Sequence, residues 1–127
     1  LDFPPTVIRA YSPATVIAET FQAVVVLGLA NSRMKDFYDV WTLSRSYDFD
    51  EDRLSRAIAA TFERRGTAIP FEAPVALTQT FATDVGKQRQ WAAFVRDLAI
   101  EIPVFEAVVA DLAGFLMPYA RHARQRS

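Results

Sequence analysis

The chain has 127 residues, 51% of them hydrophobic and 13% aromatic, so it is long and apolar enough for one domain with a buried core. Its net charge of −1, from 14 basic and 15 acidic residues, excludes a global field that would attract nucleic acid or an anionic membrane. The lack of cysteine excludes disulfides and thiolate zinc sites. The apolar stretch at residues 21–30 is too short to span a bilayer, so we expect a cytoplasmic protein without a membrane partner.

The first predicted element is an extended segment at residues 1–11. Its P-P dipeptide excludes a regular helix, and its V-I dipeptide suits a short extended piece. We expect an extended segment at 1–11, a helical domain at 12–118 and a basic tail at 119–127.

A first helix is predicted from Pro13 onward. Ser12 can cap it, because its hydroxyl accepts a hydrogen bond from a first-turn amide, and Pro13 lacks only an N–H that would be unpaired anyway. Glu19 is the one acid on this nearly apolar helix. Gly28 begins the turn that ends it, and Ser32 can cap the next helix. One broad apolar face is formed by Val16, Ile17, Phe21, Val24 and Val25.

The second predicted helix begins with a dense set of charges. Arg33 and Asp36 form an i, i+3 pair, and Lys35 and Asp39 form an i, i+4 pair. Each such pair stabilises an exposed helix by about 0.2–0.5 kcal/mol, which favours a solvated helix face. The alternative is a functional site, because the charges are more concentrated than solubility requires.

A third helix is predicted from an Asp50 cap to about Arg64, with Gly66 as its stop. The adjacent Arg64 and Arg65 suit a phosphate contact. Helix C-termini collect cations in any case, however, so the structural interpretation is favoured.

After this helix, the residue pattern predicts a loop followed by two further helical segments. Residues 67–74 contain two prolines and are expected to run across the helices and pin Ile69 and Phe71 into the core. A short helical turn at 77–83 and a longer helix at 87–99 follow.

The last part of the chain completes a helical fold. Trp91 shares its helix face with aliphatic residues, which predicts a core side chain and not a base-stacking platform. A last helix starts near Pro103, and Pro118 is expected to interrupt it and leave a frayed basic tail. Together these elements predict an all-α fold, a compact bundle of about five to six helices with an extended N-terminal segment and a proline-containing loop.

Several segments resemble the helical half of the AbiEii/AbiGii toxin family of nucleotidyltransferases. The family pattern is A-E-K followed, after a short helix and a turn, by R-x-K-D-x-x-D. The matching run here is A-E-T-F-Q-A-V-V-V-L-G-L-A-N-S-R-M-K-D-F-Y-D-V-W, and F-E-R-R-G-T-A-I-P and K-Q-R-Q-W-A-A-F follow it. The resemblance implies that Asp36 and Asp39 are catalytic and that Glu19, Arg33 and Lys35 bind the nucleotide.

The chain departs from the family pattern in two ways. Thr20 replaces a lysine that the resemblance implies holds nucleotide phosphates. The family's metal-binding carboxylates follow a G-G or G-S turn in an N-terminal domain, as a D-x-D motif, and no such glycine turn occurs here. The D-x-D at residues 48–50 reads as a loop plus a helix cap.

The resemblance implies a C-terminal helical domain that lines the NTP and acceptor cleft of a missing N-terminal nucleotidyltransferase domain, with residues 1–11 as the connector from that domain. The lack of an initiator methionine agrees with a chain that begins inside a longer product. Full-length relatives use Mg²⁺ and an NTP, and this chain alone is expected to be inactive. The implied partners are the N-terminal domain, an antitoxin and an RNA acceptor. The alternative function is a free-standing helical module that binds another protein or forms a homodimer.

Overall fold

The computed structural model describes residues 11–98 and 100–126. Within these ranges it has six α-helices, two short 3₁₀ turns and no strand, so the predicted all-α bundle is confirmed. Nearly all of the connector predicted at residues 1–11 lies outside the described residues. The 3₁₀ turns are Gly28–Ala30 and Val75–Leu77. The helices are α1 Pro13–Leu27, α2 Met34–Ser46, α3 Glu51–Arg64, α4 Gln79–Ala82, α5 Val85–Val95 and α6 Phe105–Arg126.

Helix α1 packs chiefly against α3. Ser12 Oγ accepts a hydrogen bond from the Thr15 N–H at 3.2 Å, as the predicted cap requires. By length and hydropathy alone, residues 13–30 would suffice to cross a membrane, although the stretch 21–30 by itself is shorter than a span. Of that window, 56% is buried inside the bundle, so its apolar side chains serve the protein core.

Aromatic side chains connect the helices at the centre of the bundle. The rings of Phe21 on α1 and Phe62 on α3 lie 5.3 Å apart, and those of Phe37 on α2 and Phe105 on α6 are also 5.3 Å apart. Trp91 on α5 is 3% exposed, and its ring lies 5.1 Å from that of Phe105. The prediction that Trp91 is a core residue is therefore confirmed.

Helix α3 has the boundaries that its sequence predicts. Asp50 Oδ2 accepts a hydrogen bond from the Arg53 N–H at 2.8 Å, which caps the first turn. Gly66 has a positive φ of 62°, a conformation that glycine adopts without steric cost, and it ends the helical run.

Helix α2 begins differently from the prediction. Arg33 occupies the cap position, and its N–H donates to Asn31 Oδ1 at 2.8 Å. The prediction that Ser32 caps this helix was wrong, because an Asx turn at Asn31 makes Arg33 the cap residue, and no side chain caps the first turn.

Helix α6 continues through Pro118 to Arg126, so the predicted interruption and frayed tail were wrong. Pro118 is exposed, and it removes only the hydrogen bond to the Gly114 carbonyl one turn earlier. Beyond it, Ala120 and Ala123 are fully buried, and α6 packs extensively against α3. Packing of this last part therefore outweighs the lost hydrogen bond, and the expected boundary at residue 119 falls inside a helix.

The loop at 67–74 lies at the surface more than predicted. Ile69 is partly buried against the core, but Phe71 is 78% exposed, so its predicted place in the core was wrong. The guanidinium of Arg124 on α6 stacks on the Phe71 ring. That contact gives the ring a partner outside the core.

Candidate functional site

The charged first turn of α2 contains a buried carboxylate. Asp36 is 1% exposed, and its Oδ2 lies 3.6 Å from Arg33 Nε, whose side chain is 39% exposed. The predicted i, i+3 pair is therefore present. Because a buried carboxylate needs compensating partners, Arg33 is held close to the start of the helix while part of its guanidinium stays accessible.

A second pair lies one turn along the same helix. Lys35 Nζ donates to Asp39 Oδ2 at 2.8 Å, which confirms the predicted i, i+4 pair. The side chain of Lys35 is 41% exposed and that of Asp39 is 14% exposed. Each acid therefore faces inward and each cation faces outward. The start of α2 consequently presents positive charge to solvent, although acids and bases alternate along it.

These cations line an open cleft between α2 and α5. Its volume is about 600 Å³, within the range of small-molecule sites in proteins. The lining residues are Ser32, Arg33, Met34, Lys35, Asp36, Gln90, Ala93 and Phe94. One wall therefore carries two cations, and the other wall carries an amide, a methyl group and an aromatic ring.

A lysine on α5 fixes the turn that leads into this cleft. Lys87 Nζ donates to the Asn31 carbonyl at 2.7 Å, and the same ammonium lies 5.2 Å from the centre of the Phe81 ring. Asn31 is itself fully buried. Lys87 therefore ties α5 to the turn that precedes α2.

Glu19 does not line this cleft. Its Oε1 accepts from Arg65 Nε and Nη2 at 2.9 and 2.6 Å, and its Oε2 accepts from the Arg64 guanidinium and from Thr61 Oγ1. The structure thus joins Glu19 on α1 to the end of α3. Arg33, Lys35 and Asp36 meet in the cleft, and Asp39 adjoins it through Lys35.

Two features of the site were missed from the sequence. The Glu19 contacts join residues 42 to 46 positions apart, which no local pattern indicates. Gln90 and Phe94 join the cleft only because α5 packs against α2, although their i, i+4 spacing does place them on one helix face. Thr20, where the family pattern has lysine, is fully buried, and its hydroxyl has no hydrogen-bond partner within the described part of the chain.

The described residues do not fit a resident metal ion. Residues 11–98 and 100–126 contain no group of three or more histidine, cysteine, aspartate or glutamate side chains placed to hold one. The Glu19 carboxylate is engaged by Thr61, Arg64 and Arg65, and it does not line the cleft that Asp36 lines. The described acids therefore do not assemble into an oxygen-rich Mg²⁺ site.

The single histidine lies at the opposite end of the chain. His122 Nδ1 is 3.3 Å from Glu51 Oε1, a contact that joins α6 to the first turn of α3. Burial, followed by the negative charges of Glu51 and Asp50, raises the pKa of nearby Tyr119 above its ordinary value of 10.0. The phenol therefore stays protonated at neutral pH and offers no general base there.

Comparison with known proteins assigns the chain to a family. A family model described as the nucleotidyl transferase AbiEii toxin of a type IV toxin–antitoxin system matches residues 1–111. No curated protein and no solved structure gives a significant match. The matched range includes the charged turn of α2, the contacts of Glu19 and the cleft wall on α5. The chain therefore belongs to the AbiEii nucleotidyltransferase toxin family.

Proposed function

We propose that this chain forms the nucleotide-holding helical wall of a nucleotidyltransferase. The observation that carries the proposal is the cleft of about 600 Å³ whose α2 wall presents Arg33 and Lys35. Both side chains are partly exposed, while the acids that hold them are mostly buried. Two positioned cations beside an open cleft are the arrangement that binds a polyphosphate.

In nucleotidyl transfer, an acceptor oxygen attacks the α-phosphorus of an NTP, and pyrophosphate leaves as the new phosphodiester bond forms. Negative charge builds on the leaving pyrophosphate. Guanidinium and ammonium groups that contact these oxygens stabilise that charge. In our proposal Arg33 and Lys35 hold the phosphates, and the acceptor is an RNA end.

Asp36 and Asp39 act in this proposal as positioning residues. Each acid holds one of the two cations, and neither belongs to a metal-binding group among the described residues. Their assignment as catalytic residues stays a prediction. The metal-binding carboxylates belong, in the same proposal, to a nucleotidyltransferase domain against which this helical wall packs. An antitoxin is the expected regulatory partner.

Calorimetric titration of the chain with each NTP in the presence of Mg²⁺ tests the proposal. We expect binding to wild-type protein and at least about a tenfold weaker Kd in the Arg33→Ala, Lys35→Ala double variant, because hydrogen bonds to charged groups contribute about 1.5–3 kcal/mol each. Because Arg33 is a partner of the buried Asp36, circular dichroism of the double variant must show the helical content of wild type before its Kd is compared.

Arg56→Ala is the matched control. Arg56 forms an exposed i, i+4 pair with Asp52 on α3, 3.0 Å apart, and does not line the cleft. It should leave NTP affinity unchanged. Equal binding by wild type and the Arg33, Lys35 double variant would contradict the proposal, as would no binding by the wild type.

A further inference from the structure

We infer that the α5 wall of the cleft holds the nucleobase, with Phe94 as the stacking surface and Gln90 as the group that reads the base edge. This inference rests on the proposed function, since it deepens the same site. It assigns a purine or pyrimidine ring to one wall and the triphosphate to the other. Neither the family match nor the charged pattern of α2 assigns any role to α5.

The two walls of the cleft differ in chemistry. Arg33 and Lys35 stand on the α2 wall, whereas the α5 wall has no charged residue among those that line the cleft. A nucleotide has the same division, with a charged chain at one end and a flat, mostly apolar ring at the other. A free polyphosphate would need no uncharged wall.

Phe94 is held in place by neighbouring rings without any ligand. Its ring packs against Tyr38 at a centroid distance of 5.7 Å and an interplanar angle of 62°, and against Trp91 at 5.9 Å and 38°. Phe94 nevertheless stays only partly buried and lines the cleft. A ring fixed on one side and open on another stacks on a base with little loss of conformational entropy.

Gln90 places an amide beside the Phe94 ring. It lies four residues before Phe94, one helical turn away on the same face, with the small Ala93 beside them. The side chain of Gln90 is exposed and lines the cleft, so its amide is accessible there. Its amide offers both a donor and an acceptor, which is the pairing that the edge of a nucleobase requires.

The test compares NTPs with inorganic tripolyphosphate, each titrated with Mg²⁺ into the whole chain by calorimetry. Phe94→Leu should weaken NTP binding by about tenfold, the loss typical of one removed base-stacking contact. Its affinity for tripolyphosphate should stay within about twofold of wild type, because that probe has no base. Phe94→Tyr keeps an aromatic ring and should bind NTPs as wild type does.

Phe115→Leu is the matched core control. Phe115 is also partly buried and contacts two rings, Phe49 at 5.6 Å and Tyr119 at 5.2 Å, but it lies outside the cleft. It should bind both probes as wild type does. If Phe115→Leu weakened NTP binding as much as Phe94→Leu, the effect would be general destabilisation and the inference would be overturned.

Gln90→Ala tests base reading, with exposed Gln125→Ala as its control. We expect Gln90→Ala to narrow the spread of affinities among the four NTPs and to leave tripolyphosphate binding unchanged. If Phe94→Leu leaves NTP affinity intact while the Arg33, Lys35 double variant loses it, this inference fails and the proposed function stands. If neither NTPs nor tripolyphosphate bind the wild type, both are overturned.

Discussion

The Glu19 carboxylate is bonded by three residues, of which Thr61 and Arg64 belong to α3 and Arg65 directly follows it. Its side chain is 11% exposed, whereas those of Arg64 and Arg65 are 59% and 46% exposed. The desolvation cost therefore falls mainly on the acid, and the guanidiniums offset it while they keep part of their own hydration. Thr61 Oγ1 adds a neutral donor at 3.1 Å.

We predict that Glu19→Gln destabilises the chain by about 1–2 kcal/mol. This loss is smaller than the roughly 3–5 kcal/mol for breaking a fully buried ion pair, because both arginines retain solvent. Urea unfolding followed by circular dichroism measures it. Arg56→Ala, which breaks an exposed pair, should cost less than about 0.5 kcal/mol. Equal losses in the two variants would show that the Glu19 cluster does not stabilise the fold.

Individual residues also show which contacts could be predicted from the sequence and which could not. Local hydrogen bonds at Asp50 and the fit of Trp91 to the core could be predicted, because caps and helix faces depend on residues within one or two turns. The partners of Glu19 could not, because they depend on how α1 and α3 pack. Its predicted nucleotide-binding role is still a prediction, and the contacts seen here suit a structural one.

At the scale of elements, two glycines occupy different kinds of backbone position. One lies inside a helix, and the other lies just after the end of a helix. Gly114 lies inside α6 with open space where a Cβ would be, whereas Gly66 has a φ of +62° after α3. The first position suits any residue with high helix propensity. The second requires a left-handed conformation that L side chains rarely adopt.

We predict opposite effects for alanine at these two glycines. Gly114→Ala should stabilise the chain by about 0.5–1 kcal/mol through helix propensity. Gly66→Ala should destabilise it by about 1–2 kcal/mol, because the Cβ of alanine is sterically strained in the left-handed conformation at this position. Each variant is the other's control in thermal and urea unfolding. Stabilisation by both would mean that α3 does not need its left-handed end.

The presence of a helix was easier to predict from the sequence than the position at which a helix breaks. Pro118 was a sound local signal for a break, but burial of Ala120 and Ala123 after it keeps α6 helical. Phe71 shows the reverse case, an apolar residue whose loop leaves it exposed. Both outcomes depend on tertiary packing, which the local pattern does not contain.

At the scale of the whole molecule, the near-zero net charge limits how the chain attracts a nucleotide. A net charge of −1 spread over 127 residues provides no long-range steering, so any attraction for an NTP must come from the few cations beside the cleft. The self-association alternative does not require such a local field. Sensitivity of ligand binding to salt and metal therefore tests the whole arrangement.

We predict that NTP binding weakens by about tenfold as NaCl rises from about 50 to 500 mM, because the screening length falls well below 10 Å in this range. The Arg33→Ala, Lys35→Ala variant should lose most of that salt dependence. Replacing Mg²⁺ with EDTA should change the Kd by no more than about threefold, since the described residues hold no metal-binding group. Calorimetry measures all three arms. Complete loss of NTP binding in EDTA would instead show that the metal is essential to the nucleotide site. An NTP affinity that does not change with NaCl would exclude Arg33 and Lys35 as the phosphate contacts.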